Sequence, residues 1–309
     1  MIQPESDGII VINKPKDATS MDVVRLVKRV TRVKRVGHAG TLDPIATGVL
    51  PVCIGQATRF MEYLVAGGKT YIGEVTLGAS TDTYDAYGAV TQRSDYVGIT
   101  RADVEAQLPL FTGLVMQQPP MYSAVKHAGQ RLYDLARAGV QVERPSREVV
   151  VHRLQLLEWK PPRMVIQVEC GKGFYMRSLA HDLGSALGCV AHLSELARTK
   201  AGPFALDGAI TVERMQSEEG WMDLLQTPDA ALLDNPSVTL PASAERHVRN
   251  GQPVMLSGFG AYSRHLELRR AYSEDGRFLG LVRFNRPDAS WKPEKIMAAP
   301  MMSRYASWA

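Results

Sequence analysis

The spacing of apolar positions changes period several times along the chain, and each change marks an element. Residues 8–14 (GIIVINK) form a short apolar run that predicts a strand. After Ser20, which can serve as a helix cap, Val23, Leu26, Val27 and Val30 recur at helical spacing. Residues 69–78 (KTYIGEVTLG) alternate as a strand, and 80–88 (STDTYDAYG) read as a polar loop. Thr100, with Asp103 three residues on, predicts a helix start of the capping-box type. Residues 117–139 begin as a proline-marked loop and become a helix that stops at Gly139. Residues 147–159 and 163–171 read as two strands. In residues 175–188, Leu179, Leu183 and Leu187 share one helix face, and Gly188 closes it. Strands and helices interleave without a regular βαβ rhythm, and no repeat of 20–50 residues is evident, so the expected fold is α+β with a mixed sheet. Beyond residue 240, residues 249–256 and 266–284, with the turn at 274–276, predict a small β-rich unit. The expected division is a catalytic body at 1–240 and a second domain at 241–309.

Composition narrows the class. The chain of 309 residues holds no run near the roughly 20 apolar residues of a membrane span. It opens on the polar MIQPESDG, which does not resemble a secretory signal. Cys53, Cys170 and Cys189 are odd in number and far apart, which supports neither a disulfide framework nor a zinc site and fits a reducing, cytoplasmic setting. The net charge of +4 is unevenly placed: residues 241–309 carry 11 Lys/Arg against 6 Asp/Glu, a net of +5, so the first 240 residues total −1. A second cluster comprises Arg25, Lys28, Arg29, Arg32, Lys34 and Arg35 with no acid among them. Clustered bases suit phosphate backbones; a solvated helix face is the alternative.

The stretch following that run, RVGHAGTLDPIATGVL at 35–50, holds one acid, Asp43, among small residues. Gly37, Gly40, Gly48 and Pro44 argue against a regular helix or strand there and for a close backbone approach. A lone carboxylate in such a loop can be a nucleophile, a base, or a loop cap. Metal binding needs partners, and no His, Asp or Glu cluster stands at ligand spacing around Asp43. Hydrolysis of a glycosidic bond normally uses two carboxylates, and this loop supplies one.

Five blocks of this sequence, taken together, resemble the pseudouridine synthases, specifically the bacterial tRNA pseudouridine-55 (TruB) family. They are GIIVINKPKDATSMDVV with GHAGTLDPIATGVL, KTYIGEVTLGASTDTYDAYG, QQPPMYSAVKHAGQRLYDLARAG, CGKGFYMRSLAHDLG and HLSELARTKAGPF, in the family's order over most of residues 8–204. The resemblance implies cleavage of the N1–C1′ bond of a uridine in RNA, rotation of the base, and rejoining through C5. It implies no cofactor and no metal. It makes Asp43 the nucleophile, Arg177 the arginine paired with it, and Tyr71 the aromatic that stacks on the target base and accepts a proton. Tyr175 and Leu196 match pocket-lining residues, Lys14 a lysine near the entrance to the site, and His38 an RNA-facing ring that fills the space left by the extruded base. The C-terminal unit resembles, more loosely, a PUA RNA-binding domain. The implied partner is the T-stem-loop of tRNA, modified at position 55 by a stand-alone monomer. A guide-RNA-dependent synthase, a non-catalytic tRNA-folding chaperone and a hydrolytic glycosidase are the competing readings.

Overall fold

Ten strands form the principal sheet of the computed structural model, which describes residues 7–217, 221–256 and 263–306. Its main path runs Ile210–Thr211, Gly8–Lys14, Ala46–Ile54, Ala191–Ala201, Lys69–Leu77, Arg163–Cys170, Arg147–Lys160, Gly113–Gln117. Two short strands, Val36–His38 and Phe204–Ala205, add to it beside Ala46–Ile54 and Ala191–Ala201. All neighbours are antiparallel except Ile210–Thr211 against Gly8–Lys14 and Ala191–Ala201 against Ala46–Ile54. This is the α+β, mainly antiparallel body that the patterning predicts. Ile10, Ile12, Val75, Ile166, Val168 and Leu193 from the strands pack with Leu179 and Leu183 of the Met176–Ala186 helix in one buried cluster. Each such side chain contributes about 1.5–3 kcal/mol on burial.

Two local readings change. The Ser20–Thr31 helix is capped by Thr19, in a reciprocal box with Asp22, and not by Ser20. Ser20 is buried and its hydroxyl turns to the Leu42 backbone instead, donating to Leu42 O at 3.0 Å and accepting from Leu42 N at 2.9 Å. The glycines of 35–50 also do not exclude strands: Gly37 lies in Val36–His38 and Gly48 in Ala46–Ile54. Gly48 has φ +100°, and a Cβ there would stand 2.2 Å from Arg198 O, so glycine is what lets these strands pass this closely. The irregular part shrinks to the loop between those strands, which carries Asp43.

A second sheet of four strands, Ser237–Leu240, Leu268–Ser273, Arg277–Asn285 and Ser290–Met302, follows with the Ala242–Arg249 helix. It is joined to the body by a shared buried cluster, in which Phe60 and Leu232 pack with Tyr272, Phe278, Leu281 and Met297. At the same seam the fully buried Asp229 accepts from the Tyr272 hydroxyl at 2.7 Å. Among the described residues no helix is long and apolar enough to cross a membrane.

Candidate functional site

Three side chains fix the Asp43 loop from behind. Ser20 holds Leu42, as above. Lys14 is fully buried beneath it and donates to Pro15 O (2.8 Å), Ala18 O (2.7 Å) and Pro44 O (3.4 Å). Burial pushes the Lys14 ammonium down to about 8, while Asp43 opposes that shift. Its three donors meet carbonyls of the chain, so Lys14 braces the loop from beneath. Arg198, in the Ala191–Ala201 strand, donates from Nε to Val49 O (2.7 Å) and from Nη2 to Gly40 O (3.0 Å), gripping both flanks of Asp43.

Arg177 enters from the first turn of the Met176–Ala186 helix. Its Nε lies 2.9 Å from Asp43 Oδ2 and 3.7 Å from Asp85 Oδ2. Nη2 donates to Tyr122 O at 2.9 Å and Nη1 to Thr83 O at 3.4 Å, so the guanidinium is held on all sides. Asp85 is itself fixed, accepting from Thr83 Oγ1 at 2.7 Å and Tyr87 N at 3.0 Å. Burial raises the Asp43 pKa above the ordinary carboxylate value. Arg177 and Lys14 pull it back down, and Asp85 pushes it further up. Arg177 thus orients Asp43 and limits the rise without reversing it, although the carboxylate keeps 34% of its surface open to the cavity.

That cavity, of about 250 Å³, is lined by Asp43, Tyr71, Tyr175, Arg177, Leu196 and Arg198 among others. Tyr71 comes from the Lys69–Leu77 strand, directly across from Arg198 in the antiparallel pairing. The backbone of Tyr175 is clamped by the Gln117 amide, which donates to Tyr175 O (3.0 Å) and accepts from Tyr175 N (2.8 Å). The five residues Asp43, Tyr71, Arg177, Tyr175 and Leu196 are therefore brought together. His38 is half-buried at the end of Val36–His38 and outside the cavity lining; burial and the nearby Arg198 lower its pKa. Asp85 and Arg198 are the residues that sequence reasoning missed. Arg198 was within reach, because Leu196 and Arg198 stand two apart on a strand and share a face. Asp85 comes in on a polar loop whose pattern gives no address. Among the described residues no group of three or more His, Cys, Asp or Glu is placed to hold a metal ion.

Residues 28–176 match the family model of the TruB family pseudouridylate synthase N-terminal domain, and residues 177–233 that of the tRNA pseudouridylate synthase B C-terminal domain. A protein of Dehalococcoides mccartyi named tRNA pseudouridine synthase B is 41% identical over 97% of this chain and 99% of its own length. One of the same name from Symbiobacterium thermophilum is 50% identical over 80% of this chain and 83% of its own. Among solved structures, one described as a Cbf5–Nop10–Gar1 complex superposes with a TM-score of 0.70 at 26% identity, covering 98% of this chain and 87% of that one. Another, an H/ACA RNP bound to a substrate RNA, gives 0.70 at 22% identity over 96% and 91%, a likeness of fold. The chain belongs to the TruB family of pseudouridylate synthases.

Proposed function

We propose that this protein isomerises a uridine of tRNA to pseudouridine, with Asp43 as nucleophile and position 55 of the T-loop as target. The observation that carries the reading is the Asp43–Arg177 pair, at 2.9 Å, in the wall of a cavity of about 250 Å³. Such a space admits one extruded base and not a duplex. The N1–C1′ bond breaks, the freed uracil turns, and C5 bonds to C1′. Uracil departs with negative charge, and the surroundings favour that: Lys14, Lys69, Arg177 and Arg198 are buried cations, against the two carboxylates of Asp43 and Asp85. Tyr71 stacks on the base and accepts a proton; Tyr175 and Leu196 pack against it; His38 meets the RNA outside the cavity.

Asp85 bears on the glycosidase alternative, since it is a second acid. A hydrolase needs that acid free to act on water or the leaving group. Here Asp85 is buried, its oxygens face Thr83, Tyr87 and Arg177, and it does not line the cavity. Isomerisation is favoured.

We assign the phosphates flanking the target to the 25–35 run. The C-terminal unit expected at 241–309, together with the strand Ser237–Leu240 that joins its sheet, we read as a PUA-like RNA-binding appendage. We infer a stand-alone monomer acting in the cytoplasm without guide RNA, on the strength of the 121–149 segment, which is similar to the RNA-gripping insertion of the stand-alone enzymes. The test is to incubate the purified protein with an unmodified tRNA transcript alone and map pseudouridine. One modified T-loop position is expected. Product only when a guide RNA and partner proteins are added would overturn the stand-alone reading, and no product under either condition would overturn the reaction.

A further inference from the structure

Arg198 is a charge in the cavity wall that the pairing at Asp43 leaves unexplained. Its side chain is 1% exposed. Among the described residues no carboxylate pairs with it, because Asp43 and Asp85 both turn to Arg177. Burying a cation without an anion is costly even when its donors are met. Its donors do meet oxygens, at Val49 and Gly40, but carbonyl dipoles cancel no net charge. Arg198 stands directly opposite Tyr71 across the two antiparallel strands, and both side chains line the same cavity. One side chain therefore holds both flanks of the nucleophile's loop and brings a positive charge with no carboxylate partner into the cavity that Tyr71 lines. The other buried ammonium groups are committed elsewhere: Lys14 to Pro15, Ala18 and Pro44, and Lys69 to the carbonyls of Leu64, Val65 and Gly67.

We propose that Arg198 is a positioning residue for Tyr71 in the final proton transfer, fixing its oxygen and stabilising the phenolate that removes the C5 proton. The proposal rests on the uridine isomerisation proposed above. Once C5 has bonded to C1′, the base holds a tetrahedral C5–H and a C6=N1 double bond. The phenolate takes the C5 proton. The C–H electron pair becomes the C5=C6 bond, and the C6=N1 pair moves onto N1. N1 takes a proton from solvent water, and the hydroxide so formed takes the proton back from the phenol. Atoms and charge balance, and no oxidant is involved. Burial raises the Tyr71 pKa, and Cys170 on the neighbouring strand and Asp43 across the cavity raise it further. Arg198 is the group that draws it down. Without that cation the phenolate becomes scarcer still.

The experiment compares the wild type, Arg198→Lys, Arg198→Gln, Tyr71→Phe and the Arg198→Lys/Tyr71→Phe double variant. Single-turnover rates are measured on an unmodified tRNA transcript carrying ordinary or 5-deuterated uridine, with circular dichroism to check folding and filter binding to check affinity. Arg198→Lys should slow the reaction about 10²-fold, the scale of a lost general base, with tRNA binding retained. It should enlarge the C5 deuterium isotope effect over that of the wild type and move the alkaline rise in rate to higher pH. Adding it to Tyr71→Phe should cost little more, since the two act as a unit. Arg198→Gln, which still donates to a carbonyl but carries no charge, should be slower still and shift the alkaline rise further than Arg198→Lys, and it stands in if the lysine variant misfolds. An unchanged isotope effect together with additive losses would overturn the proposal and leave Arg198 as a loop brace alone. Absence of pseudouridine from the wild type would overturn both the reaction and this inference.

Discussion

Around Asp43, the cations Lys14, Lys69, Arg177 and Arg198 are buried, and among the described residues only Arg177 has a carboxylate partner. In the C-terminal sheet the arrangement is inverted. Arg283 pairs with Glu294, Arg277 with Asp275, Lys292 with Asp288 and Arg269 with Glu267, at 2.7–3.0 Å and in part or full contact with solvent. The C-terminal segment has the larger positive surplus by count, yet much of it is answered locally. The 25–35 run is different again: among the described residues only Arg25 is paired, with Asp22, while Lys28, Arg29, Arg32, Lys34 and Arg35 are exposed and make no ion pair. Net charge therefore ranks these regions poorly. Burial and pairing separate charge that acts in the cavity, charge available to phosphates, and charge that balances itself.

If that ranking holds, effects should fall in order as substitutions move outward. Arg177→Met should lower the single-turnover rate by about 10²–10³-fold, and Arg177→Lys should recover only part, lacking the planar fork that meets Asp43, Tyr122 and Thr83 together. Near-normal turnover by Arg177→Met would dissolve the contrast. The acid side of the rate profile comes next. A nucleophilic Asp43 must be ionised, and its pKa is raised by burial, so activity should fall, as pH drops, at a pH above the ordinary aspartate value. A rate that persists unchanged down through that ordinary value would show a carboxylate less desolvated than its surroundings imply. Reversing charge at Lys28 and Arg32 should weaken tRNA binding and reduce the salt slope by about 0.7–0.9 for each phosphate no longer neutralised, leaving the saturated rate intact. A salt titration that matches the wild type would remove the run from the RNA interface. Smallest of all, Arg283→Ala should change thermal stability by no more than about 1 kcal/mol, the usual scale of a solvent-screened pair. Deleting the whole C-terminal unit is a poorer test than it looks from sequence, because Phe60 and Leu232 would lose the buried partners they share with Tyr272 and Phe278.

What the sequence made legible was whatever its own neighbours encode. The strand at Lys69–Leu77 and the helix at Met176–Ala186 follow from period alone, and Thr100 with Asp103 forms the capping box its spacing predicts. The strand Ser290–Met302 escaped because Pro293 and Pro300 interrupt it and its pattern barely alternates. Ser20 looked like a cap because it precedes an apolar helix; its hydroxyl instead answers Leu42, 22 residues away. Family resemblance put Lys14 near the entrance to the site, and only the fold shows three carbonyls closing over it. Asp43, Tyr71 and Arg177 were readable through family resemblance. Their support by Asp85 and Arg198 is a product of long-range packing, which no local pattern records.

The most direct measurement is multiple-turnover pseudouridine formation by Asp43→Asn on an unmodified tRNA transcript, with binding followed in parallel. The substitution keeps size and shape and removes the charge that faces Arg177. The expected result is tRNA binding close to that of the wild type, since affinity comes from phosphates and stacking, with no pseudouridine formed. Sustained turnover by Asp43→Asn would contradict the account at its centre, because no other carboxylate lines the cavity among the described residues.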